Sequence, residues 1–320
     1  MIEEDSITTT IKDKASRPKN LTEYIGQAKA KEQLQIFMQA AIARGESVDH
    51  ILIQGAAGLG KTTLANIVAT TMQGELTSTS GIVIDKTGDL AALLTGLQEH
   101  AILFIDEIHK LNSSIIEMLY PAMEDYELDI MIGDGTAARS IKINLPQFTI
   151  IGATTKIGAL PLALRTRFGI NIQLEDYTKA ELMEIITINC NKAKMLIKPE
   201  ATALIATCSR GTPRIANQLI RRIRDYCQVQ KIKIVDQQAV QRVLNLLEID
   251  NLGLTKLDRK ILRIIRDAKT IGLDNLAVAS GEHKSTIEES LEPYLMKIGI
   301  LKRTSKGRKI NPEMLKNISF

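Results

Sequence analysis

Cysteine is scarce, with three in 320 residues. Cys190, Cys208 and Cys227 are widely spaced and odd in number, which builds neither a disulfide framework nor a zinc ribbon, so reduced core thiols are expected. No apolar run approaches the ~20 residues needed to span a bilayer. The acidic opening Met1-Ile-Glu-Glu-Asp5 lacks the basic and apolar regions of a secretory signal. A cytoplasmic protein that does not enter the membrane is therefore expected. Neither an internal repeat nor a low-complexity tract is evident. A strong charge imbalance is missing too: the net charge of +4 is too small to establish nucleic-acid binding. Its distribution says more, because after Pro293 the chain carries Lys297, Lys302, Arg303, Lys306, Arg308, Lys309 and Lys316 against the single acid Glu313. Positive potential is concentrated at the C-terminal end. A hydrophobic content of 44% and a charged content of 24% are ordinary for a soluble globular protein. At this length the chain most easily divides into two or three domains.

Residues 22–177 alternate apolar strand-like runs with longer helical stretches, the signature of a largely parallel sheet covered by helices. The strand candidates Ile51-Leu-Ile53, Ile102-Leu-Phe-Ile105 and Thr149-Ile-Ile151 are short and continuously apolar, as buried parallel strands are. Leu128-Asp-Ile-Met-Ile132 and Ser140-Ile-Lys-Ile-Asn144 instead alternate around Gly133-Asp-Gly135, which predicts a hairpin inserted at about residues 128–144. From 178 to about 247 the pattern is helical only, clearest over 179–190 and 214–229, and predicts a small all-α domain. Helices over 256–268, around 274–279 and over 285–298, followed by a basic turn-containing segment at 302–310, predict a winged helix-turn-helix. The resulting division is 1–178, 179–250 and 251–320.

The most informative run is Gly55-Ala-Ala-Gly58-Leu59-Gly60-Lys61-Thr62-Thr63, between the apolar His50-Ile-Leu-Ile-Gln54 and the helix-like Leu64-Ala-Asn-Ile-Val-Ala69. It fits the P-loop template at every fixed position. Glycines let consecutive backbone N–H groups curl around a phosphate without Cβ clashes. Lys61 supplies a point charge for the terminal phosphates, Thr62 a hydroxyl for Mg²⁺, and the helix N-terminus a partial positive charge. Ala101-Ile-Leu-Phe-Ile-Asp106-Glu107 is a buried strand ending in two carboxylates, placed as Walker-B acids are: Asp106 for Mg²⁺, Glu107 to orient and polarise the attacking water. Thr149-Ile-Ile-Gly-Ala-Thr154-Thr155 ends in hydroxyls, with Thr155 either sensing the γ-phosphate or capping the next helix. Arg165 and Arg167 follow on an apolar segment, and their spacing after the sensor strand suggests an arginine finger reaching a neighbouring subunit's ATP. Arg214 opens a helix after Gly211-Thr-Pro213, where the helix dipole does not favour a cation, so a triphosphate is a fitting partner.

With these motifs in order the chain resembles the AAA+ ATPases and, among them, the RuvB family of motors that drive Holliday-junction branch migration. The most diagnostic stretches are Arg17-Pro-Lys, Tyr24-Ile-Gly-Gln27, Gly58-Leu-Gly-Lys-Thr-Thr-Leu-Ala-Asn66, Phe104-Ile-Asp-Glu-Ile-His109, Leu119-Tyr-Pro-Ala-Met-Glu-Asp-Tyr126, Gly152-Ala-Thr-Thr155, Arg210-Gly-Thr-Pro-Arg-Ile-Ala-Asn217 and Leu291-Glu-Pro-Tyr-Leu295. The resemblance implies a large AAA+ domain, a helical lid and a winged-helix DNA-binding domain. It implies an ATP- and Mg²⁺-dependent hexameric ring on duplex DNA at Holliday junctions, active in recombination, repair and the SOS response to DNA damage. RuvA is the implied partner, with the RuvC resolvase a further one. Carried over residue by residue, Ser16, Arg17, Tyr24, Ile25, Gly55, Leu59, Thr63, Glu124, Asp125, Tyr126 and Tyr177 are implied nucleotide-site positions. Arg167 is then the trans-acting finger and Arg214 the second sensor. Lys284, Arg303, Lys306 and Arg308 are implied DNA contacts. Ile141 and Ile143 occupy the family's apolar RuvA-docking positions, although a hairpin packed on its own domain would look the same. Several positions depart from the family pattern: Ala56 and Ala57 replace the usual prolines, Thr166 an acidic residue, Lys156 an arginine, and Ala268-Lys-Thr-Ile271 a Gly-Gly-Pro turn. In the wing, Lys306 keeps charge where Arg is common but lacks the planar fork. A clamp-loader-like ATP switch is the alternative reading of the Walker motifs alone, and the basic wing argues against it.

Overall fold

The computed structural model describes residues 17–132 and 139–317. The turn at Gly133-Asp-Gly135 and Ser16 lie outside the described residues. The chain folds into two compact units, residues 1–185 with 212–214, and residues 186–211 with 215–320.

The first unit is built on a five-stranded sheet in the order β2-β3-β6-β1-β7. The strands are β1 (Ile51–Gln54), β2 (Leu76–Ser80), β3 (Ile102–Asp106), β6 (Thr149–Thr154) and β7 (Ile170–Gln173). Every pairing between them is parallel. The central strands are apolar because helices cover both faces: Ile51, Leu52 and Ile53 are each at most 1% exposed. Each such side chain contributes about 1.5–3 kcal/mol through burial. The edge strands β2 and β7 lie outside the expected set. Leu76-Thr-Ser-Thr-Ser80 is half-buried apart from the exposed Ser78, and Ile170-Asn-Ile-Gln173 alternates buried and exposed. Each edge strand has one paired side only, so its sequence carries no continuous apolar run.

Helices α1 (Ala28–Arg44), α2 (Lys61–Met72), α3 (Thr87–Thr95), α4 (Ser113–Glu124) and the one-turn α5 (Leu162–Arg165) complete the layers. The start of α4 is fixed by Asn112, whose side-chain oxygen accepts from the Ile115 N–H at 3.0 Å. The predicted hairpin is present as β4 (Glu127–Ile132) and β5 (Arg139–Asn144), paired antiparallel with Ile130 opposite Ile141 and Leu128 opposite Ile143. Its base packs against the core through Leu128, Ile130 and Ile143.

Beyond β7 come α6 (Lys179–Lys192), α7 (Pro199–Cys208), α8 (Pro213–Val229) and α9 (Gln237–Leu246). The all-α expectation for this region needs a correction, because β8 (Leu196–Ile197) and β9 (Ile234–Val235) pair in parallel beside the helices. Two-residue strands are too short to register in a hydrophobic pattern. The C-terminal part holds α10 (Lys256–Ala268), α11 (Leu273–Ser280), α12 (Lys284–Thr286), a π-turn at Ile287–Leu291, α13 (Glu292–Lys297) and the wing hairpin β10 (Leu301–Thr304) and β11 (Gly307–Ile310). The single helix expected over 285–298 is thus interrupted. Pro293 has no N–H and its ring crowds the carbonyl four residues back, so the ladder widens into a π-turn just before it. The cysteines are reduced and buried. Burial pushes the Cys190 thiol up to about 12, and burial followed by the Asp250 charge raises Cys208 to about 11.

Candidate functional site: a nucleotide-binding edge and a basic wing

In a parallel sheet all carboxyl ends lie along one edge, and here β3, β6 and β1 are consecutive neighbours there. The P-loop leaves β1, the two acids leave β3, and Thr155 follows β6 between them. Gly58 and Gly60 have φ of 86° and 104°, the left-handed region where glycine carries no Cβ penalty. Both are also boxed in. A Cβ on Gly58 would lie 2.7 Å from the Arg214 Cβ, and one on Gly60 would lie 2.6 Å from the Tyr24 hydroxyl. The Arg214 stem therefore packs directly on the phosphate loop while its side chain is exposed.

Lys61 is 7% exposed and its ammonium donates to the Gly55 carbonyl at 2.8 Å and the Ala56 carbonyl at 3.2 Å. Burial lowers its pKa, against the opposing pull of the Glu107 and Asp106 charges, and Arg214 pushes the same way as burial. One lysine thus feels both acids and Arg214. Thr62 and Thr63 sit in the first turn of α2, half-buried.

Glu107 is held in place. The Thr155 hydroxyl donates to its Oε2 at 3.1 Å and the Thr155 N–H at 3.3 Å, while His109 Nδ1 lies 3.2 Å away. The same His109 nitrogen is 2.9 Å from the Thr154 hydroxyl. Asp106 Oδ1 accepts from the Glu107 N–H at 3.1 Å, with Glu107 in the left-handed region at φ 48°. Thr155 is exposed and bonded to the acid, an arrangement a helix cap alone would not produce. His109 has no role in the sequence reading beyond marking the Walker-B stretch; its spacing of two from Glu107 is the signal that could have found it.

Tyr24 and Tyr177 converge on the loop as well: their hydroxyls donate to the Leu59 carbonyl at 3.2 Å and 3.3 Å. Burial, then the neighbouring Tyr177, raises the Tyr24 pKa well above the ordinary phenol value. Arg17 and Ile25 are half-buried beside this wall in sequence.

Arg167 and the segment Glu124, Asp125 and Tyr126 are placed elsewhere. Arg167 immediately precedes Phe168-Gly169 and β7, so it lies at the amino edge of the sheet. A four-residue strand is about 13 Å long, which separates it from the P-loop edge. Its guanidinium donates to the Ala163 carbonyl at 2.8 Å and to Glu124 Oε2 at 3.2 Å, and lies 4.0 Å from the Tyr120 ring centroid. Tyr126 stacks edge-on against Phe148 at 5.7 Å and tilted against His50 at 6.4 Å, residues that precede β6 and β1. This second cluster is not brought to the chain's own phosphate loop. Tyr120, which holds the arginine, has no role in the sequence reading beyond lying in the diagnostic 119–126 stretch.

In the wing, Arg303 and Arg308 are cross-strand partners and share a face. Arg303 Nε donates to Glu292 Oε2 at 2.5 Å, Arg308 Nε to Glu292 Oε1 at 2.7 Å, and Arg308 Nη2 to Glu288 Oε1 at 3.0 Å. Glu292 is 0% exposed, the Arg308 side chain 13% and that of Arg303 44%. Burial works against the Arg308 charge, but the bonds and charges of Glu292 and Glu288 outweigh it and raise the pKa above the usual arginine value. Lys306 is exposed at the hairpin turn, and Lys302 and Lys309 are exposed partners on the opposite face. Lys284 opens α12 and pairs with Asp274. Gly307 is required at φ 128°, where a Cβ would collide with the Ile271 carbonyl. Ile271, from the altered turn, bridges to Arg308 through two backbone bonds of 2.7 Å and 3.1 Å. On the hairpin, Ile141 is 46% exposed whereas Ile143 is half-buried on the core.

The chain matches the Holliday junction DNA helicase RuvB P-loop domain over residues 16–174, the RuvB AAA lid domain over 177–250 and the RuvB C-terminal winged helix domain over 251–319. It is similar to the solved structure of the Thermotoga maritima RuvB Holliday junction branch migration motor, with 42% identity and a TM-score of 0.85, covering 94% of this chain and 97% of that one. A single-residue mutant of Thermotoga maritima RuvB aligns with 42% identity and a TM-score of 0.86 over 95% of this chain and 98% of that one. The chain belongs to the RuvB family of AAA+ ATPases.

Proposed function

We propose that this chain is the ATP-hydrolysing subunit of a hexameric DNA motor that drives branch migration of Holliday junctions together with RuvA. The observation that carries the ATPase part is the convergence of Lys61, Asp106, Glu107, Thr155 and the Arg214 stem on one edge of the sheet. Thr62 and Asp106 form an oxygen donor set that fits Mg²⁺ when phosphate and water supply the remaining positions. When bound, the ion would draw charge from the β- and γ-phosphates. Lys61 moves from the loop carbonyls onto the phosphates, and Glu107, positioned by Thr155 and His109, orients the attacking water. Tyr24 and Tyr177 stiffen the loop at Leu59, with Arg17 and Ile25 on the base side. The working division is an ATPase domain at 1–178, a lid at 179–250 and a DNA-binding domain at 251–320.

Arg167, together with Glu124, Asp125 and Tyr126, serves the ATP of a neighbouring subunit, because its own phosphate loop is at the opposite sheet edge. Mixing decides this. Rings of Arg167→Ala alone or Lys61→Ala alone should be inactive, and verified mixed rings should regain hydrolysis where an intact loop meets an intact finger. No recovery in mixed rings would refute the trans role.

Arg303, Lys306 and Lys284 contact DNA phosphates, with Arg308 adding its charge from beneath the hairpin. Ile141 is the exposed apolar contact for RuvA, and Ile143 supports it from the core. RuvC joins at the junction as a further partner in the cytoplasm. Among the described residues no helix is long and apolar enough to cross a membrane. The decisive experiment is strand exchange on a synthetic four-way junction with ATP, with and without RuvA. Conversion to duplex products that requires ATP supports the motor. ATP-dependent retention of a partner without any strand exchange supports a clamp-loader-like switch instead.

A further inference from the structure

The connection between lid and winged-helix domain lies wholly within the second compact unit. A tether between domains is ordinarily exposed and polar, with few contacts crossing it. Here Arg210, at the end of the lid's α7 loop, reaches across it. Its backbone is left-handed at φ 54°, a conformation uncommon for a side chain of this size. Its Nε donates to the Gly253 carbonyl at 2.9 Å, Nη2 forms an ion pair with Asp258, and the guanidinium lies 4.7 Å from the Tyr294 ring centroid. Tyr294 in turn donates its hydroxyl to the Leu252 carbonyl at 2.5 Å.

Asp258 is 0% exposed. Its Oδ2 also accepts from the Thr255 N–H at 2.7 Å and hydroxyl at 2.6 Å, closing the capping box of α10. Its Oδ1 is buried with no hydrogen-bond partner among the described residues. The Arg210 guanidinium is the partner that this buried carboxylate would lose on substitution. The connection is pinned from the other side too. Arg259 donates to the Leu254 carbonyl and the Glu248 carbonyl, both at 2.9 Å. Gly253, at φ 75°, lies so close to Cys208 that an added Cβ would be 3.0 Å from its carbonyl oxygen. Arg210 lies in the turn that leads into α8, and the second-sensor candidate Arg214 is the second residue of that helix.

We propose that Arg210 is a positioning residue that locks the winged-helix domain to the lid, so that movement imposed on the lid by nucleotide at Arg214 is delivered to DNA without slack. This role rests on the motor reading under Proposed function and makes the clasp the element that couples hydrolysis to DNA movement. The Arg210 side chain is engaged by Gly253, Asp258 and Tyr294 and is assigned to neither the nucleotide site nor the DNA face, so its loss separates activities that a catalytic or DNA-contacting residue would lose together.

The test uses the full-length chain carrying spin labels at Gln228→Cys in the lid and Lys302→Cys in the wing, with label distances measured by pulsed electron resonance. The unmodified clasp should give one narrow distance distribution. Arg210→Ala and Asp258→Asn should broaden it. Basal ATP hydrolysis and duplex affinity should stay within about twofold, while stimulation of hydrolysis by duplex DNA and branch migration fall at least tenfold. Arg210→Lys keeps the charge for Asp258 but not the fork, should fold where Arg210→Ala does not, and should give an intermediate distribution. Either a narrow distribution or unimpaired DNA stimulation in a folded variant overturns the proposal. If the unsubstituted chain itself shows no DNA stimulation and no branch migration, the motor reading fails, and the distance distributions still decide whether the clasp exists.

Discussion

Replacing Glu107 by glutamine is expected to leave ATP binding intact and to lower turnover by about 10²–10⁴-fold, the usual contribution of a positioned acid–base group. The substitution keeps the size and the acceptor that receives the Thr155 hydroxyl at 3.1 Å, so the loop around it should not move. It removes the negative charge proposed to orient and polarise water. Lys61→Ala differs in kind: it removes the ammonium that the phosphates require, so binding falls as well. Filter binding with ATP beside steady-state hydrolysis separates the two, and near-normal turnover in Glu107→Gln would end its assignment as the activating group. Thr155→Val adds a graded test, since it removes the hydroxyl bond to Glu107 but not the backbone one at 3.3 Å. Its turnover should fall between the unsubstituted chain and Glu107→Gln.

The nucleotide edge is legible in the sequence because each of its parts is local. A P-loop needs its glycines, lysine and threonine within nine residues, and the strand before it must be apolar because it is central in the sheet. The acids at Asp106 and Glu107 and the hydroxyl at Thr155 follow strands of the same kind. What the sequence does not display is long-range or edge-bound. β2 and β7 bury only part of their surface, so Leu76-Thr-Ser-Thr-Ser80 offers no hydrophobic pattern to read. The pairing of Arg167 with Glu124 joins residues 43 apart, and that of Arg210 with Asp258 joins residues 48 apart. No spacing rule predicts either. The same limit applies to the wing. Its arginines are visible as charge, whereas the buried carboxylate that holds them is one glutamate among several on a helix whose π-turn is signalled only by Pro293.

That carboxylate changes what the wing arginines should do. Arg308→Ala is expected to destabilise the winged-helix domain by about 3 kcal/mol, since removing one partner of a buried ion pair leaves charge without compensation. Glu292 is 0% exposed and, among the described residues, would keep only Arg303 as an ion-pair partner, whose side chain is 44% exposed. Arg303→Ala should cost less, about 1.5 kcal/mol, in the range of a single charge-assisted hydrogen bond. Lys306→Ala, on the exposed turn, should leave stability unchanged. DNA binding should then divide along different lines. Removing one cation that neutralises a phosphate reduces the slope of log K against log salt by about 0.9. Lys306→Ala and Arg303→Ala should each flatten that slope, whereas Arg308→Ala should weaken affinity through a loosened hairpin. Hydrogen exchange at the amides of Leu301 and Arg308, read beside duplex binding at several salt concentrations, distinguishes the two effects. Glu292→Gln supplies the control. If Arg308 acts mainly by bracing the hairpin, removing the carboxylate charge speeds exchange and weakens binding. If its principal role is to meet a phosphate directly, the same substitution frees the guanidinium, and affinity rises with a steeper salt slope. Unchanged exchange in Arg308→Ala would show that the buried pair with Glu292 does not hold the wing, and would leave all of its effect on DNA to direct charge.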